Sequence, residues 1–211
     1  MATEIPTDDS VVEHDAVDAG LFWHEHKRKI LLWAAAVVVL GGGSLAWYVS
    51  STMNNIAAGE ALAVANDAAA YESLIGKYPG TMPAADAGLL LAAALRDAGK
   101  IEESTAAFRD FLKVFPGHPL AGGALLGVGE NQDAMGKASE ATETFQQVAE
   151  KYPKGYAAPF ARYAQAEILL REFRRQEAKT LLESIQTDFP DSIAARLSVA
   201  QLARIGTASA K

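Results

Sequence analysis

Residues 99–116 read GKIEESTAAFRDFLKVFP, and this stretch sets the pattern that organises most of the chain. Residues 136–153, GKASEATETFQQVAEKYP, repeat it at glycine, lysine, glutamate, threonine, phenylalanine and proline. An aromatic residue followed by proline closes each copy, and this pair occurs four times: Tyr78-Pro79, Phe115-Pro116, Tyr152-Pro153 and Phe189-Pro190. The prolines recur every 37 residues without a gap. A fixed period of this length is the signature of a repeat protein.

The quoted stretch predicts an amphipathic helix of about 13 residues, because its large apolar residues fall at i, i+3, i+4 and i+7. A small residue stands four positions before the first large one, at Ser104, Ala141 and Ala178. The large position and the next inward one stay apolar in all copies: Tyr71, Phe108, Phe145 and Leu182, then Leu74, Phe111, Val148 and Ile185. We expect the Phe145 ring to be buried and the neighbouring Thr144 to tolerate alanine. Proline then ends each helix.

The first helix of each pair precedes this one and is predicted over residues 83–98, 120–135 and 157–172, which are rich in alanine and leucine. Gly99 and Gly136 stand where this helix turns into the next, which is the usual place of a C-cap glycine. Phe173 replaces that glycine in the third copy. The pattern predicts an all-α solenoid of helix pairs.

These residues resemble the tetratricopeptide repeat family, whose second helix carries a small residue, a large aromatic residue four later and a closing proline. Ala141, Phe145 and Pro153 match that spacing, and Val128-Gly129 matches the family's Leu-Gly pair in the first helix. The resemblance covers about residues 57–205. The sequence departs from the family in its period of 37 residues instead of about 34, and in lacking the first-helix tryptophan.

Composition excludes several classes of function. The chain has 211 residues, a net charge of −7 and no cysteine. The absence of cysteine excludes disulfides and thiolate zinc sites. The negative charge argues against nucleic acid as a partner, because phosphate binding requires a basic surface.

The N-terminal region has the layout of a membrane anchor. Residues 1–26 hold seven acidic residues and no lysine or arginine, Lys27 to Lys29 are all basic, and Ile30 to Val49 form an uncharged apolar run. About 20 apolar residues in a helix span the hydrocarbon core of a bilayer. Aromatic residues stand near both ends of the run, where they would meet the membrane interfaces: Trp23, Trp33, Trp47 and Tyr48.

We therefore predict four segments: an acidic tail over residues 1–29, a transmembrane helix over 30–50, a repeat domain over 51–206 and a C-terminal tail over 207–211. A cleaved signal peptide is the alternative, but the apolar run is long and no small-x-small site follows it. The basic flank predicts a cytoplasmic tail and exported repeats. The array is expected to begin with a half repeat, residues 54–77, that lacks its own first helix, and to end in a polar-faced cap over residues 192–205.

No arrangement of residues favours catalysis, a cofactor, a metal or a small-molecule substrate, and we expect a protein that is not an enzyme. His24 and His26 are two residues apart and do not share a helix face. Residues 129–139 resemble a phosphate-binding loop only faintly, because Asn131 and Ala138 stand where glycine and a hydroxyl are needed. A basic cluster surrounds Phe173 in the third copy and indicates an exposed face with salt bridges, or alternatively a site for an acidic partner. Its residues are Arg171, Arg174, Arg175 and Lys179.

The resemblance implies a binding groove lined by the first helices. Carrying the family's groove positions across predicts these partner-binding residues: Leu89, Ala93, Arg96, Leu126, Glu130, Asp133, Phe160, Tyr163, Glu167 and Leu170. They mix apolar anchors with acidic residues, which suits protein segments. The lysine and asparagine arrangement by which some relatives hold a C-terminal carboxylate is missing. The alternative is that several of these residues pack against neighbouring helices.

The whole layout also resembles the ancillary subunit family of the bacterial Sec translocon. That resemblance implies a single-pass protein of the bacterial inner membrane with a cytoplasmic N-terminus and a periplasmic repeat domain. It implies three kinds of partner: translocon subunits, a membrane-anchored periplasmic chaperone and exported clients. Two alternatives remain open. One is a membrane-anchored scaffold for cell-envelope assembly or cell division, and the other is an N-anchored organellar import receptor with the opposite orientation.

Overall fold

A computed structural model describes residues 19–208 of the chain, and every regular element among them is an α-helix. The predicted all-α solenoid is confirmed. The helices are α1 Ala19–Val64, α2 Ala68–Lys77, α3 Met82–Asp97, α4 Ile101–Val114, α5 Ala121–Ala134, α6 Ala138–Lys151, α7 Ala157–Arg171, α8 Arg175–Asp188 and α9 Ile193–Ala208.

The long helix α1 carries the apolar run. Part of it, His26–Val64, is long and apolar enough to cross a membrane, and it is the one such helix among the described residues. Large side chains along the run are exposed, including Trp33 and Trp47 at 74% and 73%. The division between the two compact units of the chain falls between Ser50 and Ser51.

From α2 onward each helix packs against the next one, and the first helices of neighbouring pairs also touch, α5 with α7 and α7 with α9. The second helices α2, α4, α6 and α8 end alike, because each C-cap is the aromatic residue before proline. Their φ angles lie between −125° and −136° and their ψ angles between 49° and 54°, outside the α region. This is the effect expected of the following proline.

The repeat positions form the core as predicted. The small position is fully buried in each copy, at Ser104, Ala141 and Ala178. The large and next inward positions of α4, α6 and α8 are buried as well: Phe108, Phe111, Phe145, Val148, Leu182 and Ile185. Thr144 differs from the expectation, since it is only 7% exposed and its hydroxyl donates a hydrogen bond of 2.6 Å to Gln132 Oε1. Alanine at this position would remove the buried donor to Gln132 Oε1, so Thr144 is not a neutral control for Phe145.

The turns inside the three complete pairs share one geometry. Gly99 and Gly136 have φ angles of 74° and 77°, and Phe173 adopts the same left-handed conformation at 63°. After each of them a backbone N–H bonds the carbonyl oxygen five residues earlier, from Lys100, Lys137 and Arg174, each at 2.9 Å. This is the Schellman motif, in which glycine is the usual left-handed residue.

The start of the array differs from the predicted half repeat. Residues 54–77 are not one helix, because α1 ends at Val64 and Asp67 caps α2 by accepting a 2.7 Å bond from Ala70 N–H. Ala61 and Leu62 pack against the core residues Leu74, Ala84 and Ala87. The end of α1 therefore takes the place of the first helix that the half repeat was expected to lack.

The last helix also departs from expectation. Its buried face packs on α8 through Ala194 and Ala195. Its exposed residues are mixed rather than purely polar, since Ile193, Leu197 and Val199 are 54%, 42% and 56% exposed and Arg196 and Arg204 are exposed beside them.

Candidate protein-binding groove

The predicted groove residues lie on the first helices, and among them Arg96 on α3 makes the most polar contacts. Its Nη1 donates to Glu130 Oε2 on α5 at 2.6 Å, and its Nη2 donates to the carbonyl oxygen of Gly127 at 2.8 Å. The guanidinium also lies 5.5 Å from the ring centroid of Phe108. Gly127 permits this approach, because a Cβ there would lie 2.6 Å from that ring and 3.2 Å from Nη2 of Arg96. Arg96 therefore ties α3 to α5 across the groove.

A second cross-link joins the next two first helices. The Arg171 guanidinium on α7 donates to the Asp133 carboxylate on α5. Asp133 stands one period after Arg96, so the repeat register places an acid where the preceding copy has a base. These two ion pairs involve three predicted groove residues, Arg96, Glu130 and Asp133, together with the neighbouring Arg171.

Tyr163 and Glu167 form the polar contact at the α7 end of the groove. Glu167 stands one turn after Tyr163 on α7, and the two side chains interact electrostatically. Burial raises the pKa of Tyr163 above 10.0, the interaction with the Glu167 carboxylate raises it further, and the positive charge of Arg204 on α9 opposes them. The neutral phenol is therefore the state that this site favours.

The predicted apolar groove residues divide into two groups. Leu89, Phe160, Tyr163 and Leu170 are half-buried, with Phe160 packed against two core clusters. Ala93 is exposed. Leu126 is 9% exposed and belongs to the core with Phe145 and Val148, so we exclude it from the groove surface.

Tyr156 is a groove neighbour that the sequence reasoning missed. Its side chain is 55% exposed and lies over α5, where a Cβ on Gly123 would be 1.8 Å from the hydroxyl oxygen. Burial of its inner part raises the pKa of Tyr156, and the negative charge of Glu130 adds to the shift. The signal in the sequence was the Gly122-Gly123 pair, which leaves room for a ring from the following copy.

The other candidate sites have structural explanations. Arg174 bonds Glu172 and Glu177, and Lys179 lies 3.8 Å from Glu183, which supports the salt-bridged reading of the basic cluster. Gly129 serves packing, because a Cβ there would lie 2.4 Å from the Phe145 ring. Among the described residues no group of three histidine, cysteine or acidic side chains could hold a metal ion. The side chains of His24 and Glu25 lie outside the described set.

A comparison with curated protein sequences finds no significant match. Among solved structures, the chain is similar to a tetratricopeptide repeat protein from Parabacteroides merdae, with 16% identity, a TM-score of 0.52 and coverage of 66% of this chain. The match covers 52% of that protein, so this chain aligns with about half its length. A second similar structure holds the nearly identical tetratricopeptide-like repeats assigned to a kinesin light chain of Podospora anserina, with 18% identity, a TM-score of 0.52, and coverage of 68% of this chain and 77% of that one.

The family model that matches the sequence is that of the tetratricopeptide repeat. It matches three times, at residues 86–118, 124–155 and 160–192. These matches coincide with the three complete cycles of the 37-residue period, each beginning in a first helix and ending after the closing proline. The chain is therefore a tetratricopeptide repeat protein, and its repeats form a protein-interaction module.

Proposed function

We propose that the array binds polypeptide through the groove formed by α3, α5 and α7, and that α1 anchors it to a membrane. The observation that carries the proposal is the groove surface itself. Its charges at Arg96, Glu130, Asp133 and Arg171 are paired within the chain, while Leu89, Tyr156 and Tyr163 remain partly exposed beside them. Partly exposed aromatic residues are common energetic anchors of protein interfaces.

The anchor is supported by the apolar helix. An apolar run with a basic flank at Lys27 to Lys29 favours insertion with that flank in the cytoplasm, and the repeats would then face the opposite side. Confinement at the membrane raises the effective concentration of two tethered proteins, so a modest intrinsic affinity suffices for association.

At a finer level, we propose an accessory role in bacterial protein export. The partners would be Sec translocon subunits, a membrane-anchored periplasmic chaperone or exported clients. The support is the sequence layout, in which an acidic tail, a basic junction and one apolar helix precede the repeats. The second candidate is a membrane-anchored scaffold for envelope assembly or cell division, since the same layout and groove would serve it.

The test compares two arginine substitutions in full-length protein that has been gently solubilised from native membranes. Ala93 on α3 and Ala106 on α4 are both exposed, and they lie on the first and second helix of one pair. Glutamate stands one period after each of them, at Glu130 and Glu143, so a long side chain fits the fold at both positions. Ala93→Arg should reduce recovery of translocon subunits or chaperone at least fivefold, and Ala106→Arg should leave it unchanged.

Two results would decide against parts of this proposal. Recovery of division or envelope-assembly proteins alone would replace the export role with the scaffold. Equal recovery by both folded variants would show that the groove of α3, α5 and α7 does not hold the partner.

A further inference from the structure

A cavity of about 320 Å³ lies between α2 and α4, over α3, and none of the predicted groove residues lines it. Its apolar wall includes Ile75 on α2, Leu91 on α3, and Phe111 and Val114 on α4. Val114 is 59% exposed, so the cavity opens to solvent. We call it the α2–α4 cavity. Its volume is at the lower end of the roughly 300–1,000 Å³ of pockets that hold ligands.

Two glycines account for the open space. Gly76 on α2 and Gly88 on α3 both line the α2–α4 cavity. One period later the same two positions carry Lys113 and Leu125, and two periods later Glu150 and Arg162. The following copies thus have long side chains where the first copy has none.

The packing of the chain itself does not require either glycine. A Cβ on Gly76 would have no atom within 4 Å, and one on Gly88 would lie 3.7 Å from Phe111, an ordinary contact. Neither glycine has the positive φ angle found at the turn glycines. Glycine inside a helix lowers stability relative to alanine, and a close approach by another molecule is a common reason to retain it.

The rim of the α2–α4 cavity is acidic. Glu72 on α2 and Asp110 on α4 line it, and both are exposed. Lys113 lies 2.8 Å from Asp110, but both side chains are at least 70% exposed, so a competing cation can displace this weak contact. The acidic tail over residues 1–26 does not suit this rim, since it has no lysine or arginine.

We propose that the α2–α4 cavity is a second docking site, for a protein segment that inserts one bulky apolar side chain and carries lysine or arginine beside it. The inserted side chain would contact Val114 and Phe111 over Gly76 and Gly88. The flanking cations would lie against Glu72 and Asp110. This site is separate from the proposed groove and does not depend on it.

The probe is a peptide of benzoylphenylalanine flanked on each side by two lysines, photo-crosslinked to full-length protein in zwitterionic lipid nanodiscs. Mass spectrometry then maps the attachment sites. We expect crosslinks at Ile75, Val114 or Phe115, and at least fivefold fewer with a matched peptide that has glutamates in place of the lysines.

A Cβ at Gly76 meets no atom within 4 Å and the position lines the cavity, so Gly76→Leu should fold normally by circular dichroism and lose at least fivefold in crosslinking at these residues. Glu150→Leu places the same side chain at the same repeat position, exposed on α6, and should leave the crosslinking unchanged. The double variant Glu72→Gln, Asp110→Asn should retain crosslinking but lose the preference for lysine. Undiminished crosslinking in folded Gly76→Leu, or attachment spread evenly along the chain, would overturn the proposal.

Discussion

Asn131 Nδ2 donates a buried hydrogen bond of 2.9 Å to Ser104 Oγ, and Ser104 in turn donates to the carbonyl oxygen of Ala92 at 2.7 Å. The two bonds join α3, α4 and α5, and both side chains are at most 1% exposed. The next copy carries Ala141 and Ile168 at these positions. One interface of the array is therefore held by a polar network where its successor is held by apolar packing.

Removing half of this network should be costly. Ser104→Ala leaves the Asn131 amide buried without its acceptor, and we expect a loss of about 1–3 kcal/mol in unfolding free energy. The double variant Ser104→Ala, Asn131→Ile reproduces the pairing of the next copy and should recover most of that loss. Denaturant unfolding of the unchanged protein, of Ser104→Ala and Asn131→Ile alone, and of the double variant measures this. Additive losses in the double variant would contradict the coupling.

Truncating the central aromatic of the second copy should destabilise the array strongly. Phe145 is 0% exposed and fills the space above Gly129, so Phe145→Ala should cost about 3–5 kcal/mol. The control is Glu143→Ala, because Glu143 is exposed whereas Thr144 is buried. Thermal or denaturant unfolding that fails to separate the two variants would show that the repeat register is wrong.

Relieving the strained turn should stabilise the protein. Phe173 has a left-handed backbone with a φ angle of 63°, and its side chain is 84% exposed, so little contact is lost on removing it. We expect Phe173→Gly to gain about 1 kcal/mol, because only glycine adopts this conformation without steric cost. Phe173→Ala keeps the Cβ and should show no comparable gain. A melting temperature that rises equally in both would point to the lost ring instead.

The Tyr163 hydroxyl should titrate above its ordinary pKa of 10.0. Because the folded-state pKa is raised, Tyr163 contributes stability to the folded protein that is fully present below pH 10.0. This contribution is lost as the pH rises through the folded-state pKa. The ultraviolet difference titration between the protein and Tyr163→Phe isolates this group. Glu167→Gln should lower the pKa of Tyr163, and an unchanged titration in that variant would show that Glu167 does not influence this hydroxyl.

The absence of cysteine permits a clean test of topology. A cysteine at Ser10, before the basic flank, should be shielded from a membrane-impermeant maleimide on intact spheroplasts. A cysteine at exposed Lys154 should react, because the basic residues Lys27 to Lys29 favour a cytoplasmic N-terminal tail and hence exported repeats. The reverse pattern would remove the export role and favour a receptor that faces the cytosol.

The period and register were available from the sequence because they rest on local physics. Proline beyond the first turn ends a helix, glycine permits the left-handed turn, and apolar spacing defines a buried face. These signals placed the starts of α3, α5 and α7 within one residue of the observed Met82, Ala121 and Ala157. They also located the turn at Phe173.

Only the tertiary structure decided which side chains of different copies meet. Leu126 belongs to the core and Tyr156 lies over Gly123, although neither placement follows from helical spacing within a copy. The end of α1 serves as a first helix because Ala61 and Leu62 cover the core beneath α2 and α3. The link between Ser104 and Asn131 joins residues 27 positions apart. Such contacts depend on the distance and rotation between stacked helices, which packing of the whole array sets and no local pattern encodes.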